Sequence, residues 1–372
     1  MDPDQICALI EKLGHISAKI SNGDQNARTE AIQLSRRLSN SLENLETVAV
    51  DLAFSPVVAV AARIAVDLHL FKLIVDHGGP VSSKELATLS RGEELLIVRI
   101  LRPLASTGFV EEVGERMWTT TPVTKAMTTE GIAAGHRMVG EIIVGAANKA
   151  PTYLQEAGYR CPTDPHDGFM QYAFQTKLTT FQLISSRPQV LKDFNNFMGN
   201  TMGAREYWVD WFPVKERLLD EVVIANDSSL LVDVGGGKGH DLLAFRSKYP
   251  HLEGRLVLQD LAPLVIGARA YFYHHILHDW SDPKCLTMLE QVKKAMKPGY
   301  SKLLLHEMII PERGASTFHA MLDMSMMAFN AGMERTERQW QALLEEAGLT
   351  VVKFWLPLQN DADGIVEAIL KE

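Results

Sequence analysis

Leu230-Leu-Val-Asp-Val-Gly-Gly-Gly-Lys-Gly239 decides the fold of this 372-residue chain. Leu230 to Val234 read as a buried strand, broken only by Asp233. Glycines at 235, 237 and 239, with Gly236 between them, let the chain turn tightly and let backbone N–H groups come close to a ligand at a helix N-terminus. His240 to Tyr249 then reads as a helix, ended by Pro250. A second strand, Arg255-Leu-Val-Leu-Gln259, closes on Asp260. That acid falls about 25 residues after the first glycine, where a carboxylate can take two ribose hydroxyls. Strand, glycine loop, helix, strand and acid in this order predict a parallel α/β sheet holding a nucleoside-bearing ligand. Glycines that served only a tight turn would look the same. A nicotinamide dinucleotide loop, G-x-G-x-x-G, would put its third glycine at His240.

Downstream, Ala270-Tyr-Phe-Tyr-His-His-Ile-Leu-His-Asp-Trp280 reads as a strand running into a helix start. Ligands sit at the carboxyl end of such strands, so His278 is placed at the cleft. A neutral imidazole suits removal of a hydroxyl proton near pH 7. Lys302-Leu-Leu-Leu-His-Glu307 delivers Glu307 to the same edge, and Gly332-Met-Glu334-Arg-Thr336 supplies a second carboxylate. An acid bonded to the far nitrogen of the imidazole would fix its tautomer. Asp279 can cap the next helix or face the ligand.

Upstream the texture is helical. Residues 1–50 read as polar amphipathic helix, and Ser55-Pro56 as the start of an apolar one running to Val75 before Gly78-Gly79-Pro80. Ser82-Ser-Lys-Glu85 is a capping box, a further helix covers about Glu93 to Ser106, and Phe109–Val113 with Met117–Thr120 read as a hairpin. Three helices and a hairpin form a winged-helix pattern. The net charge of −9, with only Lys84 and Arg91 near the helix that would read DNA, points to dimerisation rather than DNA binding. Residues 125–220 are rich in Met and aromatics; most of these should be core, and a minority can line an apolar pocket. Three scattered cysteines, Cys7, Cys161 and Cys285, suggest a reducing, cytoplasmic setting without metal sites. The richest apolar run, Val57 to Leu70, is interrupted by Arg63, Asp67 and His69, so no membrane span is expected.

Asp233 before the loop and glycine at 239 resemble the D-x-G-x-G-x-G of class I methyltransferases. His278-Asp-Trp-Ser-Asp282, Lys297-Pro-Gly299, the strand ending in Glu307, and Met333-Glu-Arg-Thr336 resemble the plant caffeic-acid-type O-methyltransferases and their fungal secondary-metabolism relatives, over about residues 55–370. The resemblance implies a Rossmann-like α/β class I methyltransferase sheet over 226–372. Before it come a helical substrate-pocket region over 126–225 and a winged-helix dimerisation domain over 1–125. It implies S-adenosyl-L-methionine (SAM) as cofactor, a homodimer, and methylation of a phenolic or enolic hydroxyl on a polyketide-like molecule. His278 would be the base, flanked by Glu307 and Glu334. Asp233, the glycines 235, 236, 237 and 239, Asp260, His274 and Asp279 would bind SAM. His274 stands where the family has a basic residue. Asn330 lies where the family often contacts substrate; His136, Met170, Phe174, Trp211 and Met327 are further candidates. Some fungal relatives are pericyclases that bind SAM and transfer no methyl, which is the alternative activity. A winged-helix regulator with a vestigial catalytic domain is a third.

One departure from the family stands out. Only Leu261 to Gly267 separate Asp260 from the strand starting near Ala268, whereas a parallel crossover takes at least ~10–12 residues. Seven extended residues reach at most roughly 25 Å. Either a unit of roughly 30 residues is lacking here, or the sheet has lost an edge. In the family the lost segment carries acidic and aromatic residues that hold adenine, so weak or absent SAM binding is expected.

Overall fold

The computed structural model describes residues 3–201, 207–220, 228–260, 264–357 and 362–371. The chain forms two compact units, Met1–Lys125 and Ala126–Glu372.

In the first unit, helices Pro3–Ser21 and Gln25–Leu42 pair through Leu9, Ile16, Ala27 and Leu34. The long apolar helix does not begin at Ser55-Pro56, as its sequence suggested, but spans Leu45–Asp67 and carries Pro56 inside it. Asn44 is its true cap, accepting from the N–H groups of Glu46 and Thr47. Pro56 has no N–H to offer the preceding turn. The Ser55 hydroxyl donates to the Leu52 carbonyl at 2.9 Å, which gives that carbonyl a donor. This 23-residue helix is long and apolar enough to cross a membrane by length and composition alone, a test that helices of soluble proteins also pass. His69, in the left-handed region, then separates it from helix Leu70–His77, which ends on left-handed Gly78. Strand β1 (Val81–Ser82), helices Ser83–Ser90 and Glu94–Ser106, and strands β2 (Glu111–Gly114) and β3 (Met117–Thr119) complete the unit, with sheet order β1-β3-β2.

The second unit opens with helical segments from Glu130 to Leu219. Its sheet uses β4 (Ser229–Val234), β5 (Arg255–Gln259), β6 (Ala270–His274), β7 (Lys302–Glu307), β10 (Leu349–Trp355) and β11 (Gly364–Leu370) in the order β10-β11-β7-β6-β4-β5. A short parallel pair, β8 (Ile309–Ile310) with β9 (Arg335–Thr336), lies beside it. Strands β5, β4, β6 and β7 run parallel; β11 and β10 are antiparallel. Alternate side chains feed two apolar layers. Val232, Tyr271, Tyr273, Leu303 and Leu305 pack with Trp340 and Leu343 on one face. Leu231, Ala270, Phe272 and Leu304 pack with Trp208 and Phe245 on the other.

Among the described residues β5 is the outer strand of the sheet, and residues 264–269 lead into β6 on the far side of β4. Leu261, Ala262 and Pro263 of the short connection lie outside the described residues.

Candidate active site

β4 ends where the glycine loop begins, and the backbone there accepts few side chains. Gly235, Gly237 and Gly239 have φ of 77°, 54° and 75°. A Cβ on Gly236 would press into the Asp233 carboxylate, 2.5 Å from Oδ1. Asp233 is fully buried and neither of its oxygens has a hydrogen-bond partner. Burial pushes its carboxyl up to about 7; nearby Asp241 adds to this and His274 opposes it. A buried carboxylate without donors, beside a loop that only glycine can form, suits a ligand that brings its own donors. Asp260 follows β5 and is exposed. His274 turns instead onto Asp241, with Nδ1 2.7 Å from Oδ2, and packs on His306 at 4.1 Å between ring centres. Its Nε2 is buried without a hydrogen-bond partner among the described residues.

β6 and β7 bring the next group together at their carboxyl ends, where His274 and His306 are register partners. His275 takes a left-handed φ of 53°, which breaks β6 and starts a single 3-10 turn, Leu277–Asp279. Its ring stacks on His278 with centres 4.9 Å apart. Glu307 fixes the turn from below: its Oε1 accepts from the N–H groups of Ile276 at 3.1 Å and Leu277 at 2.8 Å. Arg335, fully buried, donates to the carbonyls of Leu277 and Trp280 and to Asp282 Oδ1. Met333 N–H donates to the His278 carbonyl at 2.8 Å. The turn's backbone is therefore held on both sides.

Glu334 meets His278 Nδ1 at 2.7 Å through Oε1, and its own N–H donates to Asp323. That contact leaves Nε2 as the outward nitrogen, 3.6 Å from Asp279 Oδ1. Asp279 caps nothing; Ser281 takes the cap position of helix Asp282–Ala295. Glu307 bonds the turn's backbone and not the imidazole, so it acts on His278 only through its charge.

These neighbours set the basicity of the imidazole. Burial would lower the pKa of His278, but Asp279, Glu307 and Glu334 outweigh it and push the ring up to about 10. Burial likewise raises Asp279 to about 6 and Glu307 to about 7, with His278 opposing in both cases.

Glu307→Gln should keep an oxygen for both N–H groups and shift the denaturation midpoint little. Glu307→Ala strands two buried donors at roughly 1–3 kcal/mol each. Chemical denaturation of the two variants checks this, and equal midpoints would refute the clamp.

The substrate candidates divide. Met170 is 1% exposed in a cluster with Phe169, Leu183 and Ile184, and is core. Asn330 is 2% exposed and tied at both ends, accepting from Thr180 N–H and donating to the Asp279 carbonyl, so it braces the turn. Phe174, Met327, Trp211 and His136 are half-buried. Sequence reading missed Gly332, Arg335, Asp323 and His275 as parts of this site. Only the run Gly332-Met-Glu-Arg-Thr336 signalled the first two.

The comparisons follow this geometry. The O-methyltransferase dimerisation domain model matches residues 50–130, and the O-methyltransferase domain model matches 265–350. The chain is 48% identical to O-methyltransferase penC of Penicillium thymicola, over 98% of this chain and 97% of that protein. It belongs to the O-methyltransferase family. Two solved structures, one described as a pericyclic reaction enzyme and one as LepI in complex with SAM, are each 25% identical to this O-methyltransferase. Each covers 100% of both chains at a TM-score of 0.86. The alignment with penC runs over 391 positions yet takes in 98% of 372 residues, so about 26 of its positions have no residue here. A shortfall of about 25 to 30 positions recurs against eight curated relatives.

Proposed function

We propose that this O-methyltransferase moves a methyl group from SAM to a phenolic or enolic hydroxyl of a flat, apolar secondary metabolite, with His278 as the base. The observation that carries this is the 2.7 Å pairing of His278 Nδ1 with buried Glu334 at the carboxyl end of β6. SAM, when bound, supplies a methyl group made electrophilic by its sulfonium. The residues present fit it in part: the glycine loop and the unpartnered Asp233 carboxylate suit its amino-acid end, Asp260 its ribose, and Asp279 its cationic sulfur. His278 Nε2 is the atom that accepts the hydroxyl proton, and Glu334 holds the ring with that nitrogen outward. The carboxylates of Asp279, Glu307 and Glu334 around the ring strengthen it as a base. Half-buried Phe174 and Met327 form an apolar wall, and Trp211 and His136 are further contacts.

The raised pKa of His278 also supports a second reading. An imidazolium at Nε2 can donate to a substrate carbonyl and promote a pericyclic step without methyl transfer. Incubating wild type with SAM and hydroxylated polyketide-type compounds separates the two by mass spectrometry. S-adenosylhomocysteine (SAH) with a product 14 mass units heavier (one CH₂, roughly) supports methylation; isomerised substrate without SAH supports the second reading.

The partner is a second copy. Leu52 and Phe54 on the Leu45–Asp67 helix are 74% and 66% exposed, and Val57 and Val60 are exposed beside them. An apolar face of this kind within the match to a dimerisation domain is better covered by protein than by lipid. Leu52→Glu with Phe54→Glu should halve the mass in light scattering, and an unchanged mass would remove this face from the interface. Cytoplasmic location fits three unbridged cysteines, two of them exposed.

A further inference from the structure

The outer edge of β5 pairs with no strand among the described residues. Around it, apolar side chains stand in solvent: Leu258 is 47% exposed on β5 and Ile266 is 82% exposed on the way to β6. Asp260 closes β5, so a ribose bound there stands at the outer strand of the sheet. Strong recognition of a purine beside it takes an aromatic face for stacking and an acceptor for its exocyclic amine. The bordering stretch offers aliphatic side chains but neither an aromatic ring nor a carboxylate. No Phe, Tyr or Trp occurs between Tyr249 and Tyr271, and no Asp or Glu between Asp260 and Asp279. The relatives align with about 25 to 30 positions that this chain lacks, and the match to the O-methyltransferase domain begins at residue 265.

We infer that this chain grips its cofactor by the amino-acid and ribose ends alone, with the adenine lying open to solvent and adding little to affinity. The inference rests on the reading of the glycine loop as the SAM site. It follows from where the polar complement lies. Asp233 and the loop N–H groups are at the inner end of the cleft, between β4 and β6. Asp260 is at the middle, and the outer end has an exposed strand edge in place of a wall. A base stacked on an aromatic face is ordinarily worth roughly 5- to 150-fold in affinity. Here that contribution falls to about 3-fold or less.

Calorimetry on the full chain with SAH and with S-ribosyl-L-homocysteine, which keeps the amino acid and ribose and lacks adenine, tests this without catalysis. Dissociation constants within about 3-fold of each other are expected. SAH binding about 30-fold tighter or more would overturn the inference and leave the loop's assignment standing. Failure of both ligands to bind at about 1 mM would overturn the loop's assignment, and the inference with it.

Discussion

His278→Ala should reduce SAH formation by roughly 10²- to 10⁴-fold, the range that a positioned acid–base group contributes. Calorimetry should show cofactor binding little changed, because the loop at 235–239 belongs to β4 and not to the 277–279 turn. The wild-type pH profile carries a second signature. His278 is raised from 6.5 to about 10, so the neutral base accumulates as pH rises through that interval. The rate with a neutral phenol should climb across it, and the stabilisation of the folded state by the proton, full below 6.5, should fade over the same range. Glu334→Gln removes a carboxylate that raises the ring's pKa, so the acidic limb should move to lower pH while the maximal rate falls. Retention of full activity by His278→Ala would end its assignment as base. A limb unmoved in Glu334→Gln would end the carboxylate's share in setting it.

Gly332→Ala is expected to have the next largest effect, although residue 332 bears no functional group. A Cβ there would press against the His278 carbonyl oxygen and lie 2.6 Å from the Asp279 carbonyl carbon and 2.9 Å from its oxygen. These are backbone atoms of a turn pinned by Glu307, Arg335 and Met333, and they cannot give way as a flexible side chain would. Either the turn moves or the 332–334 segment does, and each carries one member of the His278–Glu334 pair. Misplacement by about 1 Å can cost on the order of 10²-fold in rate, and overpacking typically costs roughly 1–3 kcal/mol of stability. Steady-state rates with denaturation midpoints would show both losses. A variant with wild-type rate and midpoint would show that the contact is not tight.

Much of the catalytic unit's frame is legible in the chain because it rests on local rules. Short continuous apolar runs marked the strands at 230–234, 255–259, 270–274 and 302–307. Glycines at positive φ set the loop, and the parallel order put His278 at a carboxyl edge. The short connection after Asp260 was legible too, since chain reach limits what seven residues can span. The helix start at Ser55-Pro56 was misread because a proline within a helix and one at its first turn look alike until the preceding carbonyl's partner is known. Met170 and Asn330 were misread for a similar reason: an apolar or amide side chain near a cleft looks the same whether it faces ligand or core.

The sequence by itself determined the order of elements, the glycine loop, and the histidine and glutamates that reach one edge of the sheet. Spacing and backbone freedom along the chain suffice for those. Only the tertiary structure decided that Glu307 clamps a turn and does not touch the imidazole, that Gly332 must stay bare, and that buried Arg335 ties the turn to Asp282. It also decided which carboxylates raise the pKa of His278 and that β5 is the outer strand among the described residues. Each of these depends on which distant segments meet and how much water they exclude. Charge strength, steric room and strand edges are properties of such meetings, not of any single stretch of chain.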